Sequence, residues 1–215
     1  MENLLIGTKA LSFFQTAGFS VLRNYLARDE TETVALAKET GFPVTLKISS
    51  PNLLHKTDVG GVRVDLRNED EVRSAYRELV NIFRSLYPEG KMDGIMVQEM
   101  AKGHEIVVGT LYDRQFGHVL MFGLGGVLVE VLRDVSFRII PIRERDAREM
   151  IREIKGYEIL KGFRGKGADI KIIEELLLKV SQLLIDHPEI LEMDLNPVFA
   201  YENGYAICDA RIKCS

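Results

Sequence analysis

Between Val44 and Asp65 the sequence VTLKISSPNLLHKTDVGGVRVD sets two alternating segments around a polar loop. Val44, Leu46 and Ile48 alternate with Thr45, Lys47 and Ser49, and Val62, Val64 and Leu66 alternate with Arg63, Asp65 and Arg67. A period of two is the signature of a half-buried strand, so the stretch reads as strand, loop, strand. Successive strand side chains point to opposite faces, which sends the apolar set to a core and puts Lys47 on the other face with Thr45. The loop carries His55, Lys56 and the pair Gly60-Gly61. Paired glycines let backbone N–H groups approach an anion, and a nearby lysine adds a point charge for phosphate. Two readings stay open on these residues: a cradle for nucleotide phosphates, or a long hairpin whose glycines only turn the chain and whose Lys47 is solvated.

Around this hairpin the pattern predicts a helix over Leu4 to Ala17 ending at Gly18, a short strand over Phe19 to Leu22, and a helix from Asp29 through Lys38. Asp29 with Glu32, and Asn68 with Glu71, have the spacing of capping boxes. A helix after Asn68 should stop before Pro88, and Gly94 then introduces the apolar strand IMVQEM, where a subdomain boundary is expected. From Glu105 to Ile142 the chain reads as an antiparallel meander. Helices are expected over Arg143 to Lys155 and Asp169 to Asp186, with the basic, glycine-rich loop KGFRGKG between them. The end of the chain reads as a hairpin turned by Asn203-Gly204.

That last hairpin permits a register argument. With Asn203 and Gly204 as the central residues of a type I′ turn, Glu202 faces Tyr205 and Val198 faces Asp209. Asp194, Asn196 and Asp209 then share one face, with Asn196 diagonal to Asp209. Two carboxylates and an amide oxygen are hard ligands suited to Mg²⁺, which is usually held by one or two carboxylates together with substrate phosphates. A charged edge strand that discourages aggregation is the plainer alternative. The segment FGLGGV lacks the third glycine and the following helix of a dinucleotide fingerprint. It is read either as a turn offering amides to an anion or as an ordinary β-turn. His104, His118 and His187 have no metal-ligand spacing and are expected at the surface or at helix ends.

The balance of 28 Lys+Arg against 32 Asp+Glu gives a formal net charge of -4, which removes the electrostatic case for nucleic acid or an anionic membrane as main partner. Any phosphate chemistry must therefore be local. No signal peptide and no stretch of membrane-spanning length is evident, so a cytoplasmic protein is expected. The only cysteines, Cys208 and Cys214, have no CxxC spacing, and Cys208 is expected as a small buried apolar residue.

Taken together, GFPVTLKISSPNLLHKTDVGGVRV, IMVQEM, FGHVLMFGLGGVLVEVLRDVSFR and MDLNP followed by CDARI resemble the ATP-grasp fold. More narrowly they resemble the β subunit of ADP-forming acyl-CoA synthetases, related to succinyl-CoA synthetase. The resemblance implies an α+β chain in which two α/β subdomains, residues 1–95 with a leading helix and residues 96–215, grip a nucleotide. It implies an acid–thiol ligase that makes ATP and a free acid from ADP, phosphate and an acyl-CoA through an acyl phosphate and a phosphohistidine. By position, Lys47, Gly60 and Gly61 match the phosphate-holding residues, Gln98, Glu99 and Met100 the hinge strand beside adenine, and Glu105 a further nucleotide contact. Asp194, Asn196 and Asp209 match the Mg²⁺ ligands, and His55 matches a histidine that takes up phosphate. Thr45, Asn24 and the terminal KCS depart from the family pattern. The chain contains no CoA-binding half, so a CoA-binding α subunit in an α2β2 heterotetramer is the expected partner. Two other functions stay open: a stand-alone ATP-grasp carboxylate–amine ligase, and a non-catalytic ATP-sensing module.

Overall fold

The computed structural model describes residues 3–53, 56–126, 133–163 and 165–215. Their contacts divide the chain into two compact units, one built from residues 6–8 and 22–101 and the other from the chain up to Leu5, residues 9–21 and residues 102–215. Among the described residues no helix is long and apolar enough to cross a membrane.

The first unit is a four-stranded antiparallel sheet in the order β2-β5-β3-β4, formed by β2 (Asn24–Ala27), β3 (Val44–Ser49), β4 (Val62–Leu66) and β5 (Gly94–Glu99). Two helices, α2 (Glu30–Thr40) and α3 (Glu69–Leu86), cover one face. Both begin where the capping chemistry predicts: Asp29 accepts from the Glu32 N–H at 2.8 Å, and Asn68 accepts from the Glu71 N–H at 3.0 Å. The core joins Val44, Leu46 and Ile48 of β3 and Ile95 and Val97 of β5 to Val34 and Ala37 of α2 and Val72, Ala75, Leu79 and Phe83 of α3. Glu30 fastens the helices together by accepting two bonds from Arg77, both 2.9 Å.

The second unit is a seven-stranded sheet in the order β1-β11-β9-β6-β7-β8, with β10 also paired to β9. Its strands are β1 (Leu4–Ile6), β6 (His104–Asp113), β7 (Gly117–Leu124), β8 (Val135–Ile139), β9 (Ile190–Tyr201), β10 (Gly204–Ile207) and β11 (Ala210–Cys214). Helices α4 (Glu144–Glu153) and α6 (Ile170–Asp186) pack on each other and on the sheet, with the single turn α5 (Tyr157–Leu160) between them. Ala147, Met150, Leu176, Leu177 and Val180 are fully buried, as are Val108, Leu120, Phe122 and Leu195 on the strands. Asp134 accepts from the Lys155 and Gly156 N–H groups, both at 2.7 Å, and so pins the turn into α5 to the start of β8.

Four expectations need correction. The leading segment is strand before helix, β1 followed by α1 (Gly7–Thr16). Phe19 to Leu22 forms no strand beyond an isolated bridge from Val21 to Ile207, and the first strand of the four-stranded sheet is Asn24–Ala27, because that stretch pairs with Gln98 to Ile95. The unit boundary falls after Ala101, not after residue 95, since β5 lies inside the four-stranded sheet. The closing hairpin pairs Tyr201 with Gly204 and Tyr205 with Ala200, so Glu202 and Asn203 make the turn. Neither has the positive φ of a type I′ turn. Two contacts accompany that register: Lys166 pairs with Glu202 at 2.7 Å and the Asp169 N–H donates to the Tyr201 carbonyl at 2.8 Å.

Candidate functional site

In the four-stranded sheet, the face opposite the helices carries the polar members of the alternation. Thr45 lies opposite Gln98, Gln98 opposite Asn24, and Lys47 opposite Met96. Lys47 is only 6% exposed, which rules out a solvated surface lysine. An ammonium this far out of water interacts with an anion more strongly than a surface lysine does. Thr45 donates to the Met100 sulfur at 2.9 Å. Glu99 closes the strand by holding Arg23: its carboxylate accepts the Arg23 N–H at 2.7 Å and its own N–H donates to the Arg23 carbonyl at 3.1 Å. Met100 lies just beyond the end of β5.

Gly60 and Gly61 are held differently from a phosphate cradle. The Gly60 N–H donates to the Thr57 carbonyl at 3.0 Å and the Gly61 N–H to the Lys56 carbonyl at 2.6 Å, so both amides are engaged within their own loop. Gly60 sits at φ 70°, and a Cβ on Gly61 would lie 2.8 Å from the Lys56 carbonyl oxygen. In this conformation the glycines serve the tightness of the loop. His55 lies outside the described residues.

In the seven-stranded sheet, Asp194 and Asn196 are exposed on either side of the buried Leu195. The register of β9 with β10 and β11 runs two residues away from the expected one. Arg211 pairs with Asp194 and Ala210 with Leu195, and the Asn196 N–H donates to the Asp209 carbonyl at 3.1 Å. A shift of two preserves every face, so Asp194, Asn196 and Asp209 still share one, with Asn196 now directly across from Asp209. The Asp209 carboxylate accepts the Ala210 N–H at 3.0 Å. Among the described residues no three His, Cys, Asp or Glu side chains gather into a metal cage. Two carboxylates and an amide oxygen fit Mg²⁺, which usually keeps positions for phosphate and water.

Glu105, on β6, lies against the FGLGG turn. Its carbonyl accepts the Gly125 N–H at 2.7 Å, and a Cβ on Gly125 would come within 2.9 Å of its own Cβ. That amide is therefore also spent on the backbone. The other histidines act locally: His104 and His118 each bond a backbone carbonyl at 2.7 Å, and His187 closes α6 with Glu189 at 3.1 Å. Sequence reasoning missed Arg211. Together with Asp194 it lines a hollow of about 410 Å³ over the exposed face of the sheet. Only the strand register could have revealed it.

A family model for the ATP-grasp domain matches residues 1–214. The chain is 43% identical over 210 residues to the acetate–CoA ligase [ADP-forming] I subunit beta of Pyrococcus furiosus, covering 97% of this chain and 90% of that one. It is 47% identical over 210 residues to the acetate–CoA ligase [ADP-forming] I of Archaeoglobus fulgidus, where 97% of this chain spans 30% of the longer protein. Among solved structures, the dinucleotide forming acetyl-coenzyme A synthetase 1 of Ca. Korarchaeum cryptofilum, in complex with coenzyme A, Ca-AMPCP and HgCl+, superposes with a TM-score of 0.95 at 47% identity, covering 99% of this chain and 94% of that one. The same Korarchaeum protein with coenzyme A and Mg-AMPPCP, its phosphohistidine segment pointing towards the nucleotide binding site, gives a TM-score of 0.84 at 46% identity, with 99% and 93% covered. The fold is thus the expected α+β ATP-grasp fold, and the chain belongs to the ATP-grasp family, in the branch of the β subunits of the ADP-forming acetate–CoA ligases.

Proposed function

We propose that this chain is the nucleotide-binding β component of a cytoplasmic ADP-forming acyl-CoA synthetase, which interconverts acyl-CoA, ADP and phosphate with a carboxylic acid, ATP and CoA. The observation that carries the reading is the common face of Asp194, Asn196 and Asp209. These three residues would hold Mg²⁺, which when bound offsets the charge of the nucleotide phosphates. Lys47 neutralises a phosphate oxygen from its buried position, and the chain at Met100 supplies backbone groups to the base. Glu105 is an additional nucleotide contact, and Gly60 and Gly61 hold the shape of the loop that carries His55.

His55 is the phosphoryl carrier. Its neutral imidazole attacks the phosphorus of the acyl phosphate and the carboxylate leaves. An ADP β-phosphate oxygen then attacks the phosphoimidazole, and the P–N electron pair returns to the ring. The CoA and acyl sites belong to a CoA-binding α subunit, with which the chain forms an α2β2 assembly. That the chain spans only 30% of the Archaeoglobus relative supports a division of labour between parts.

Reconstitution tests this reading. The chain mixed with a CoA-binding subunit should form ATP from acetyl-CoA, ADP and phosphate, and the chain alone should bind Mg-ADP but form none. Robust CoA-dependent ATP synthesis by the chain alone would overturn the subunit assignment.

A further inference from the structure

The face that carries Asp194, Asn196 and Asp209 continues across β11 to Arg211. Arg211 is the Cα partner of Asp194 across the ladder, and it follows Asp209 by two residues, so its side chain leaves the sheet on the same side. On the other flank Asp194 faces Gly109, where a Cβ would come within 3.1 Å of the Met121 methyl, so Met121 packs over the bare backbone and joins the wall beside Asp194. Arg211 and Asp194 both line a hollow of about 410 Å³ on this face, and among the described residues Arg211 is the one cation in its wall, beside the carboxylates of Asp113, Glu192 and Asp194.

The guanidinium is held loosely. Its ion pair with Glu192 spans 3.6 Å between side chains 35% and 41% exposed, a contact worth little in water and readily exchanged for a stronger one. Phosphate oxygens make that stronger contact, because the planar fork matches them in bidentate fashion.

We propose that Arg211 is a further catalytic residue, whose guanidinium contacts the terminal phosphoryl group of ATP. The inference rests on the assignment of Asp194, Asn196 and Asp209 to the Mg²⁺-nucleotide. During transfer between ATP and an imidazole, the bond from phosphorus to the β-phosphate oxygen breaks with its electron pair going to ADP. A P–N bond forms, and the charge lies on the three equatorial oxygens that Arg211 meets. An ADP-sized ligand has no group there. Arg211 therefore distinguishes triphosphate from diphosphate.

Calorimetric titration of Mg-AMPPCP and Mg-AMPCP into the full chain tests this without any partner. Arg211→Met should weaken Mg-AMPPCP about tenfold or more and leave Mg-AMPCP within about twofold, with Arg211→Lys intermediate. Glu192→Gln, which releases the guanidinium from its present partner, should bind Mg-AMPPCP as well as wild type or better. If Arg211→Met binds both analogues like wild type, the inference fails and the nucleotide site stands. If Arg211→Met and Glu192→Gln lose both analogues equally with a lowered melting temperature, the pair is structural and the inference also fails. A wild-type chain that binds neither analogue overturns the nucleotide assignment itself.

Discussion

The Asn196 N–H donates to the Asp209 carbonyl at 3.1 Å, so these two residues face one another directly across the closing ladder. Asp194 is the next residue along on the same face of β9. Asp194 and Asn196 are thus positioned by strand backbone, and Asp209, between β10 and β11, by the backbone bond it accepts from Asn196. Asp209→Asn should weaken Mg-ADP binding by about tenfold or more with little change in the melting temperature, because it removes the charge while the amide oxygen still accepts the Ala210 N–H. Calorimetry in Mg²⁺ and in EDTA reads both terms, and equal affinities for wild type and variant would count against the metal assignment.

The phosphoryl carrier is tested by its chemistry. A phosphoimidazole is labile to acid and stable to base, which separates it from phosphoserine and from an acyl phosphate. Incubating the assembled enzyme with radiolabelled Mg-ATP should label His55, ADP should discharge the label, and His55→Ala should lose both the label and turnover. Near-normal acyl-CoA synthesis by His55→Ala with its partner would mean that another histidine delivers the phosphate.

Gly61 offers a test of the loop. A Cβ at this position would meet the Lys56 carbonyl oxygen at 2.8 Å and the Leu53 side chain at 3.2 Å, and Leu53 belongs to the core of the four-stranded unit. Gly61→Ala should cost roughly 1–3 kcal/mol in urea unfolding, the range of overpacking in a well-filled site. Unchanged stability would show that the loop relaxes around the methyl group.

Local signals were legible in the sequence because their physics is local. Asp29 and Asn68 bond N–H groups three residues away, whatever the rest of the chain does, and both helices begin there. The common face of Asp194, Asn196 and Asp209 was legible for a related reason: strand alternation survives any even shift. The register itself was not legible, since a two-residue slip leaves each side chain on the same face and alternation cannot choose between the two. The strand expected at Phe19 to Leu22 lies instead at Asn24 to Ala27, because pairing with β5 outweighs local apolar content. Gly60 and Gly61 announced tight backbone but not which acceptor their amides meet. Arg211 became visible only through its opposite number, Asp194.

The pairing of Arg138 with Glu153 makes a pH prediction for the second unit. Arg138 of β8 bonds the Glu153 carboxylate of α4 through both terminal nitrogens, and this hydrogen bonding holds the Glu153 carboxyl below its ordinary range. A depressed carboxyl stabilises the fold above the pKa of the unfolded chain and loses that contribution as pH falls through its folded pKa. With Glu153 half exposed, solvent screening limits the effect to about 1 kcal/mol or less. Glu153→Gln should therefore melt slightly below wild type at neutral pH, and the gap should close once the carboxyl is protonated at the acid end. A gap that persists at low pH would assign the loss to packing.

Lys47 is the sharpest test of the four-stranded unit, because a phosphate contact and a structural role predict different outcomes there. The side chain stands on the middle of β3, flanked by Met96 and Val62 and 6% exposed. An ammonium held out of water meets a phosphate oxygen more strongly than a solvated one does, which is what the nucleotide reading asks of Lys47. Lys47→Met keeps the length of the side chain and removes the charge. It should weaken Mg-ADP by about ten- to a hundredfold, the worth of one charge-assisted hydrogen bond, without a marked fall in the melting temperature. Calorimetry and thermal melting on the same sample separate the two effects. A variant that melts markedly lower and keeps its affinity would make Lys47 a structural residue and move the phosphate contact elsewhere.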